Sequence, residues 1–265
     1  MSPAITDQHQ RPLAGRHAVV TGAARGIGAA IARRLADDGA SLTLMGRHLD
    51  TLNALIDAMP PATDCRAVVC DVTDAGSVAA AMAMALERAP VQILVNNAGQ
   101  AASAPLATTS DALWQQMLAV NLTGTFHCTR ALLQTMLASG WGRIINIAST
   151  AGQRGYAYVG AYAAAKHGVL GLTRSLALEV AHRGITVNAV CPGFTDTDLL
   201  DESVANIVAK TGRSREQAVA ELTRHNPQRR LVQPREVADS VAWLCSDQAS
   251  AINGQSISVS GGEVM

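Results

Sequence analysis

Short runs of β-branched and leucine-rich positions alternate along the chain with longer stretches in which apolar residues recur every three to four positions. The short runs predict strands at His17–Thr21, Ser41–Met45, Ala67–Cys70, Gln92–Asn96, Arg143–Ala148, Ile185–Val190 and Ser256–Val259. The longer periods predict helices near 26–38, 74–88, 111–138, 160–182 and 235–246. In the first helix Ile27, Ile31 and Leu35 share one stripe, and Gly39 supplies the stop. Asp74 is placed to cap the second, and Pro234 suits the first turn of the last. Strand–helix alternation of this kind predicts an α/β fold, a parallel sheet with helices on both faces. No repeat, low-complexity tract or linker divides the chain, so 1–265 reads as one domain with a flexible start over 1–14. The irregular stretch is 192–234, which opens on Pro192-Gly193. A connection that long in a compact α/β domain is expected to form a functional lid, placed at 194–233.

Composition narrows the setting. The 265 residues carry 21 basic and 21 acidic side chains, so neither a uniformly basic nucleic-acid binder nor an acidic disordered tail is expected. The five cysteines (Cys65, Cys70, Cys128, Cys191, Cys245) form no CxxC pair and have no histidine beside them at ligand spacing. They read as reduced thiols, with no metal site expected. Met1 to Pro12 lacks the apolar core of a signal peptide, and no apolar run approaches the ~20 residues of a membrane helix. The expectation is a cytoplasmic globule with no membrane or nucleic-acid partner.

The candidate chemistry begins at Thr21-Gly22-Ala23-Ala24-Arg25-Gly26-Ile27-Gly28, which follows the first strand and opens the first helix. Glycines there let the backbone turn sharply and approach a pyrophosphate seated at the helix N-terminus. At the end of the second strand an acid binds the ribose 2′-hydroxyl of NAD, whereas an arginine accommodates the 2′-phosphate of NADP. Here Arg47 occupies that end, Asp50 lies well past it, and Arg25 is in reach from the loop. NADP(H) is therefore favoured, with NAD(H) as the alternative. Tyr162 and Lys166, spaced i, i+4 on a predicted helix, project from one face. Ser149 follows the fifth strand, at the sheet edge where open α/β folds place ligands. A phenol, a hydroxyl and an ammonium converging on one point suit carbonyl reduction without a metal.

Taken together, Thr21-Gly-x-x-x-Gly26-x-Gly28, Asp71, Asn96-Asn97-Ala98-Gly99, Asn121, Ser149, Tyr162-x-x-x-Lys166 and Pro192-Gly193 occur in the order and spacing of the short-chain dehydrogenase/reductase family. The resemblance runs from about Gly15 to Gly262. It implies a single Rossmann-type, doubly wound, seven-stranded parallel sheet and a homotetramer built on the helices near 111–138 and 160–182 and the C-terminal strands. It further implies that Tyr162 is the general acid, that Lys166 favours its phenolate and holds the nicotinamide ribose, and that Ser149 binds the carbonyl oxygen. Asn121 resembles the family asparagine whose backbone carbonyl holds a water in a proton relay to Lys166. The cofactor positions carried over are Thr21, Gly22, Arg25, Gly26, Ile27, Gly28, Arg47, Asp71, Val72, Asn97, Ala98, Gly99, Pro192, Gly193 and Thr197, together with Tyr162 and Lys166. Asp198 stands where many relatives have proline.

Within the family, Ile147 to Gly152 and Asn188 to Phe194 are similar to segments of bacterial 3-oxoacyl thioester and polyketide ketoreductases. Ala164 to Gly168 and the long lid are similar to 3-hydroxybutyrate dehydrogenases. Those enzymes hold a free carboxylate with His and Lys, where this chain has Ala151 and Val159, so a small free 3-oxo acid is disfavoured. Gln100, Gln153, Leu199 and Leu200 are the candidate substrate contacts. Leu199, Leu200, Val204, Ile207 and Val208 form an apolar stripe that fits an acyl chain or simply packs the lid. Phe194 to Ala209 carries four acids and no Lys or Arg, while Lys210 to Arg230 carries six basic residues against Glu216 and Glu221. The basic half is a candidate for the phosphates of a CoA or acyl-carrier thioester, or else a solvated surface paired with the acidic half. The expected activity is hydride transfer between NADP(H) and a carbonyl or secondary alcohol, such as a 3-oxoacyl thioester or related hydrophobic ketone. Two alternatives stay open: an NAD-dependent 3-hydroxyacyl or secondary-alcohol dehydrogenase, and a non-catalytic NADP(H)-binding regulator. A serine hydrolase would need a G-x-S-x-G elbow, which the sequence lacks.

Overall fold

The computed structural model describes residues 11–265, apart from the side chains of Leu199, Glu202, Ser203, Asn206, Ile207 and Lys210. Seven strands, β1 (His17–Thr21), β2 (Ser41–Gly46), β3 (Cys65–Val69), β4 (Ile93–Asn96), β5 (Gly142–Ile147), β6 (Ile185–Pro192) and β7 (Ser256–Val259), form one parallel sheet. Its order is β3-β2-β1-β4-β5-β6-β7, so the winding reverses between β1 and β4. A crevice opens at the carboxyl ends of the strands at such a reversal. The buried strands read as unbroken apolar runs because both faces are covered. Alternate side chains divide between two cores: Ala18, Val20, Leu42 and Leu44 pack on one face, and Val19, Met45, Leu94 and Ile144 on the other.

The first face carries α1 (Gly26–Asp37) and its neighbour α9 (Pro234–Cys245). The second carries α3 (Ala75–Arg88), α5 (Gly124–Ser139) and α6 (Gly160–Val180). Asp74 caps α3 by accepting from Gly76 N, Pro234 opens α9, and Gly39, at φ +95, follows the end of α1. Helix α2 (Leu49–Asp57) adds an element the apolar pattern did not predict. The expected 111–138 helix is two helices, α4 (Asp111–Leu118) and α5, joined by a π-helical turn at Ala119–Thr123. Within the span expected to be flexible, Leu13 is buried in the first core and its amide donates to Asp38 O. Residues 1–10 lie outside the described residues. The 194–233 segment holds α7 (Asp198–Thr211) and α8 (Arg215–Thr223). Its two legs are pinned together where Asp196 N donates to Val232 O and Val232 N to Phe194 O, at 2.9 Å each.

Candidate active site

At the switch point β1 ends on Thr21, and Gly22 follows with φ +62. A Cβ at Gly22 would come within 2.8 Å of Ala98 Cα, and one at Gly28 would strike the Gly22 carbonyl and lie 2.5 Å from Asn97 Nδ2. Only glycine permits this approach of loop, helix and β4 end. The loop is held from below. Thr21 Oγ1 accepts from the Asn97 and Ala98 amides at 3.1 Å each, and Asn97 Nδ2 donates to Thr21 O and Gly22 O. Thr21 and Asn97 thus build the floor of the cradle with their side chains. Arg25 occupies the N-cap of α1 in extended conformation and caps no amide, and the first turn holds no acid. Uncapped amides on a 12-residue helix, beside a surface that excludes any Cβ, fit a dinucleotide pyrophosphate.

The remaining cofactor positions surround this cradle. Ile27 packs into the first core, and Thr197 lies against Gly26. Arg47 is exposed just past β2 and acts on Asp71. The Thr73 amide and hydroxyl, reinforced by the Arg47 guanidinium, hold the Asp71 carboxyl below the usual carboxylate range. Val72 is buried beside them, in contact range of Gly124 on α5. Arg25 lies 3.5 Å from Asp198, the first residue of α7, so the residue replacing the family proline meets the glycine loop.

The chemical groups sit one strand further along. Ser149 follows β5 and caps a short 3-10 turn, Thr150–Gly152, its Oγ accepting from Ala151 N at 3.1 Å. Tyr162 and Lys166 face it from the first turns of α6. Lys166 is only 4% exposed, and its Nζ donates to the Ile147 carbonyl at 2.8 Å and lies 5.6 Å from the Tyr162 ring centre. Burial brings the Lys166 ammonium down to about 8. Burial pushes the Tyr162 phenol above its ordinary value, and a hydrogen bond with Ser149 pulls the other way. The expected lowering by Lys166 is therefore not the balance found: Ser149 supplies the opposing pull, and desolvation outweighs it.

Asn121 is buried in the π turn, 1% exposed. Its Nδ2 donates to Gln100 O at 2.9 Å and to Met117 O at 3.0 Å, while its Oδ1 accepts from Gln100 N at 3.2 Å. One amide side chain so fixes the backbone leaving β4. Its own carbonyl accepts from Thr125 Oγ1 at 3.1 Å. A Cβ at Gly99 would stand 2.9 Å from Asn121 Oδ1 and 3.6 Å from Lys166 Nζ, which brings the β4 end, the π turn and α6 to one point. A widened turn of this kind turns its side chains out of the α-helical register and recurs at functional sites.

Three of the expected substrate contacts are engaged elsewhere. Gln153 turns to β7, its Nε2 donating to Ser256 O and its Oε1 accepting from Ser258 Oγ. Leu200 is buried with Val204 and Ala218 in a small core between α7 and α8, joined by Phe194, Val208, Val219, Leu222 and Leu231. The described part of the apolar stripe, Leu200, Val204 and Val208, therefore packs the segment on itself, because two short helices need an interior of their own. Gln100 Oε1 accepts from Gln116 Nε2 on α4, and the Leu199 side chain lies outside the described residues. The lid charges pair within and beside the segment: Arg215 with Asp201, Arg213 and Arg224 with Glu221, Arg230 with Glu236. That pairing favours the solvated-surface reading over a phosphate cluster. Among the described residues no group of His, Cys, Asp and Glu is arranged for a metal ion. The Ile147 carbonyl, Tyr156 and Glu263 were not predicted for the site; Ile147 acts through its backbone, which leaves no mark in a sequence.

Known proteins share this chain's sequence and fold. Residues 22–263 match a family model described as enoyl-(acyl carrier protein) reductase. A Streptomyces violaceoruber protein described as ketoacyl reductase 1 of granaticin polyketide synthase is 43% identical over 249 residues, 92% of each chain. The D-beta-hydroxybutyrate dehydrogenase of Rhizobium meliloti is 37% identical over 250 residues, 92% of this chain and 97% of its own. An actinorhodin polyketide ketoreductase solved with NADPH superposes with a TM-score of 0.90 at 40% identity, covering 94% of this chain and 97% of that one. The fold and the cradle define a dinucleotide-dependent oxidoreductase acting on CH–OH groups. The chain belongs to the short-chain dehydrogenase/reductase family.

Proposed function

We propose that the chain is an NADP(H)-dependent ketoreductase, reducing the ketone of a 3-oxoacyl thioester or a related hydrophobic carbonyl compound to a secondary alcohol. The observation that carries this reading is the convergence of Ser149, Tyr162 and Lys166 on the sheet edge that also holds the glycine cradle. The ketoreductase similarity and the NADPH of the actinorhodin enzyme support substrate class and cofactor. Gly22, Gly26, Gly28, Ala98 and Gly99 would line the pyrophosphate and adenosine side, Asp71 and Val72 the adenine, and Arg25 and Arg47 the 2′-phosphate. Pro192, Gly193 and Thr197 would border the nicotinamide.

When bound beside Ser149 and Tyr162, a reduced nicotinamide dinucleotide would supply the hydride for the carbonyl carbon. Ser149 hydrogen-bonds the carbonyl oxygen and orients it. Tyr162, a phenol that burial moves above its ordinary value, gives its proton to that oxygen as the C=O electron pair moves onto it. Lys166 stabilises the phenolate left behind, and its own value of about 8 lets it return a proton near neutrality. Asn121 holds the turn from which a proton path to Lys166 starts.

Trp114, Phe126 and Leu178 are exposed on α4, α5 and α6, which supports a homotetramer paired through these helices. Among the described residues no helix is long and apolar enough to cross a membrane, and we place the enzyme in the cytoplasm. The test is NADPH oxidation with a panel of ketones and 3-oxoacyl thioesters, repeated with Tyr162→Phe. Turnover by the parent and its loss, by about 10²-fold or more, in the variant is the expected result. NADPH binding with no carbonyl turnover would favour a regulator instead.

A further inference from the structure

The C-terminal residues play no part in the mechanism above, yet they reach its edge. After β7 the chain turns over the Pro192-Gly193 corner, where a Cβ at Gly193 would lie 3.1 Å from Glu263 Oε2 and 3.3 Å from Ser260. The other carboxylate oxygen, Oε1, is 2.7 Å from the Tyr156 hydroxyl, which is also 2.8 Å from Thr150 Oγ1. A phenol has one proton and a carboxylate only accepts, so Tyr156 donates to Glu263 and the Thr150 hydroxyl donates to Tyr156. The Tyr156 ring is fixed on both sides. Phe194 meets it edge-on with centroids 6.2 Å apart, and the Arg154 guanidinium stands 4.9 Å from its centre. Burial pushes the Tyr156 phenol up to about 12, so it remains a donor across the working range.

Two parts of the site hang on this ring. Thr150 directly follows Ser149 in the single turn that presents the Ser149 hydroxyl. Phe194 is the root of the 194–233 segment, where Phe194 O accepts from Val232 N. We propose that Glu263 is a positioning residue for carbonyl reduction, acting through Tyr156 to fix the Ser149–Thr150 turn and the Phe194 root together. The proposal rests on the ketoreductase reading. It makes the C-terminal carboxylate part of the reaction geometry although it touches none of the reacting atoms. The pyrophosphate cradle lies at β1 and β4, away from Tyr156 and Thr150, while Glu263 stands beside Gly193 on the nicotinamide side, so the rate should fall by more than any weakening of NADPH binding.

The test compares Glu263→Ala, Tyr156→Phe, their double variant and Glu263→Gln in steady-state reduction of the best ketone found for the parent. NADPH affinity is measured by fluorescence titration. Loss of orientation at a reacting group costs up to ~10²-fold, and a loss of about tenfold in kcat is expected for each single variant, with any weakening of NADPH binding much smaller than that. Because both remove the same link, the double variant should lose no more than either alone. Glu263→Gln keeps an acceptor and should restore most of the rate. Multiplying losses in the double variant, an unchanged kcat, or a loss that follows NADPH affinity would each overturn the proposal. Should Glu263→Ala fold poorly, Tyr156→Phe and Thr150→Val probe the same link from its other end. A parent chain that binds NADPH and reduces no carbonyl overturns the ketoreductase reading, and the proposal with it. An active parent with unaffected variants overturns the proposal alone.

Discussion

Lys166 gives a prediction whose size follows from its surroundings. Burial lowers its ammonium from the ordinary 10.5 to about 8, while its proton is directed at the Ile147 carbonyl. Each pKa unit corresponds to ~1.4 kcal/mol, so holding this charge inside the cofactor-free protein costs about 3 kcal/mol near neutral pH. The sign follows from proton counting. Below pH 8 the lysine is charged in folded and unfolded chains alike, and above 10.5 it is neutral in both. Between those limits the unfolded chain binds more proton, so folding stability gains with rising pH. Replacing Lys166 by Met removes the titration, together with one charged hydrogen bond. The lost bond displaces the two stability curves by a constant, whereas the titration changes their separation with pH. Urea unfolding of the parent and of Lys166→Met, followed by circular dichroism from pH 7 to 10.5, isolates the second effect. The parent should gain about 3 kcal/mol relative to the variant across that interval. Curves that stay parallel would show that the lysine is solvated in the cofactor-free protein, and the neutral-pH proton return assigned to it would fall too.

Two further outcomes are expected. Arg47→Asp should raise the KM for NADPH at least tenfold while leaving that for NADH unchanged or lower, because the change turns a phosphate-seeking strand end into one that binds a ribose hydroxyl; an unaltered preference would place the 2′-phosphate elsewhere. His17 is buried, its Nε2 2.9 Å from Thr43 Oγ1 and its Nδ1 3.1 Å from Ala89 O, and burial lowers its pKa below 6.5. Its contribution is complete above pH 6.5 and is lost as pH falls through the folded value, so His17→Gln should flatten the decline in stability on acidification, and equal slopes in the two proteins would refute this.

The central strands were legible because β1, β2, β4, β5 and β6 are largely buried on both faces, and the predicted ends err where pairing rather than composition sets the limit. Pro192 reads as a terminator, yet β6 continues through it, since Cys191 and Pro192 still pair with Ser258 and Val259 at the sheet edge. Helix α2 escaped notice because its N-cap, His48, makes no capping bond and no glycine marks its end. The lid helices did carry a signal, the Ser214–Gln217 capping box and the left-handed Gly212 before it. In the site, Tyr162, Lys166 and Ser149 were legible only together with the glycine loop, Asn96 to Gly99, Asn121 and Pro192-Gly193, because a tyrosine and a lysine four apart on a helix are by themselves an ordinary surface pair. Their partners were not legible: the Ile147 carbonyl and the Gln100 backbone are main-chain groups, brought to Lys166 and Asn121 only by the packing of β5, α6 and the π turn. Substrate contacts are hard to read from sequence for a related reason. An apolar residue such as Leu200 looks the same whether it will meet a ligand or another helix.

That choice of partner bears on how the 194–233 segment moves. Among its described residues, Leu200, Val204 and Ala218 meet one another, and the segment meets the glycine loop at Arg25–Asp198 and through the Thr197 methyl on Gly26. Swinging outward as a unit would leave its apolar interior dry. At the glycine loop, outward movement parts an exposed ion pair on a scale of ~1 kcal/mol and a methyl contact, while Asn226 and Pro227, packed on Gly261 and Gly262, hold the other leg. A segment held in this way would shift without partial unfolding, and salt in the buffer would weaken its grip on the glycine loop.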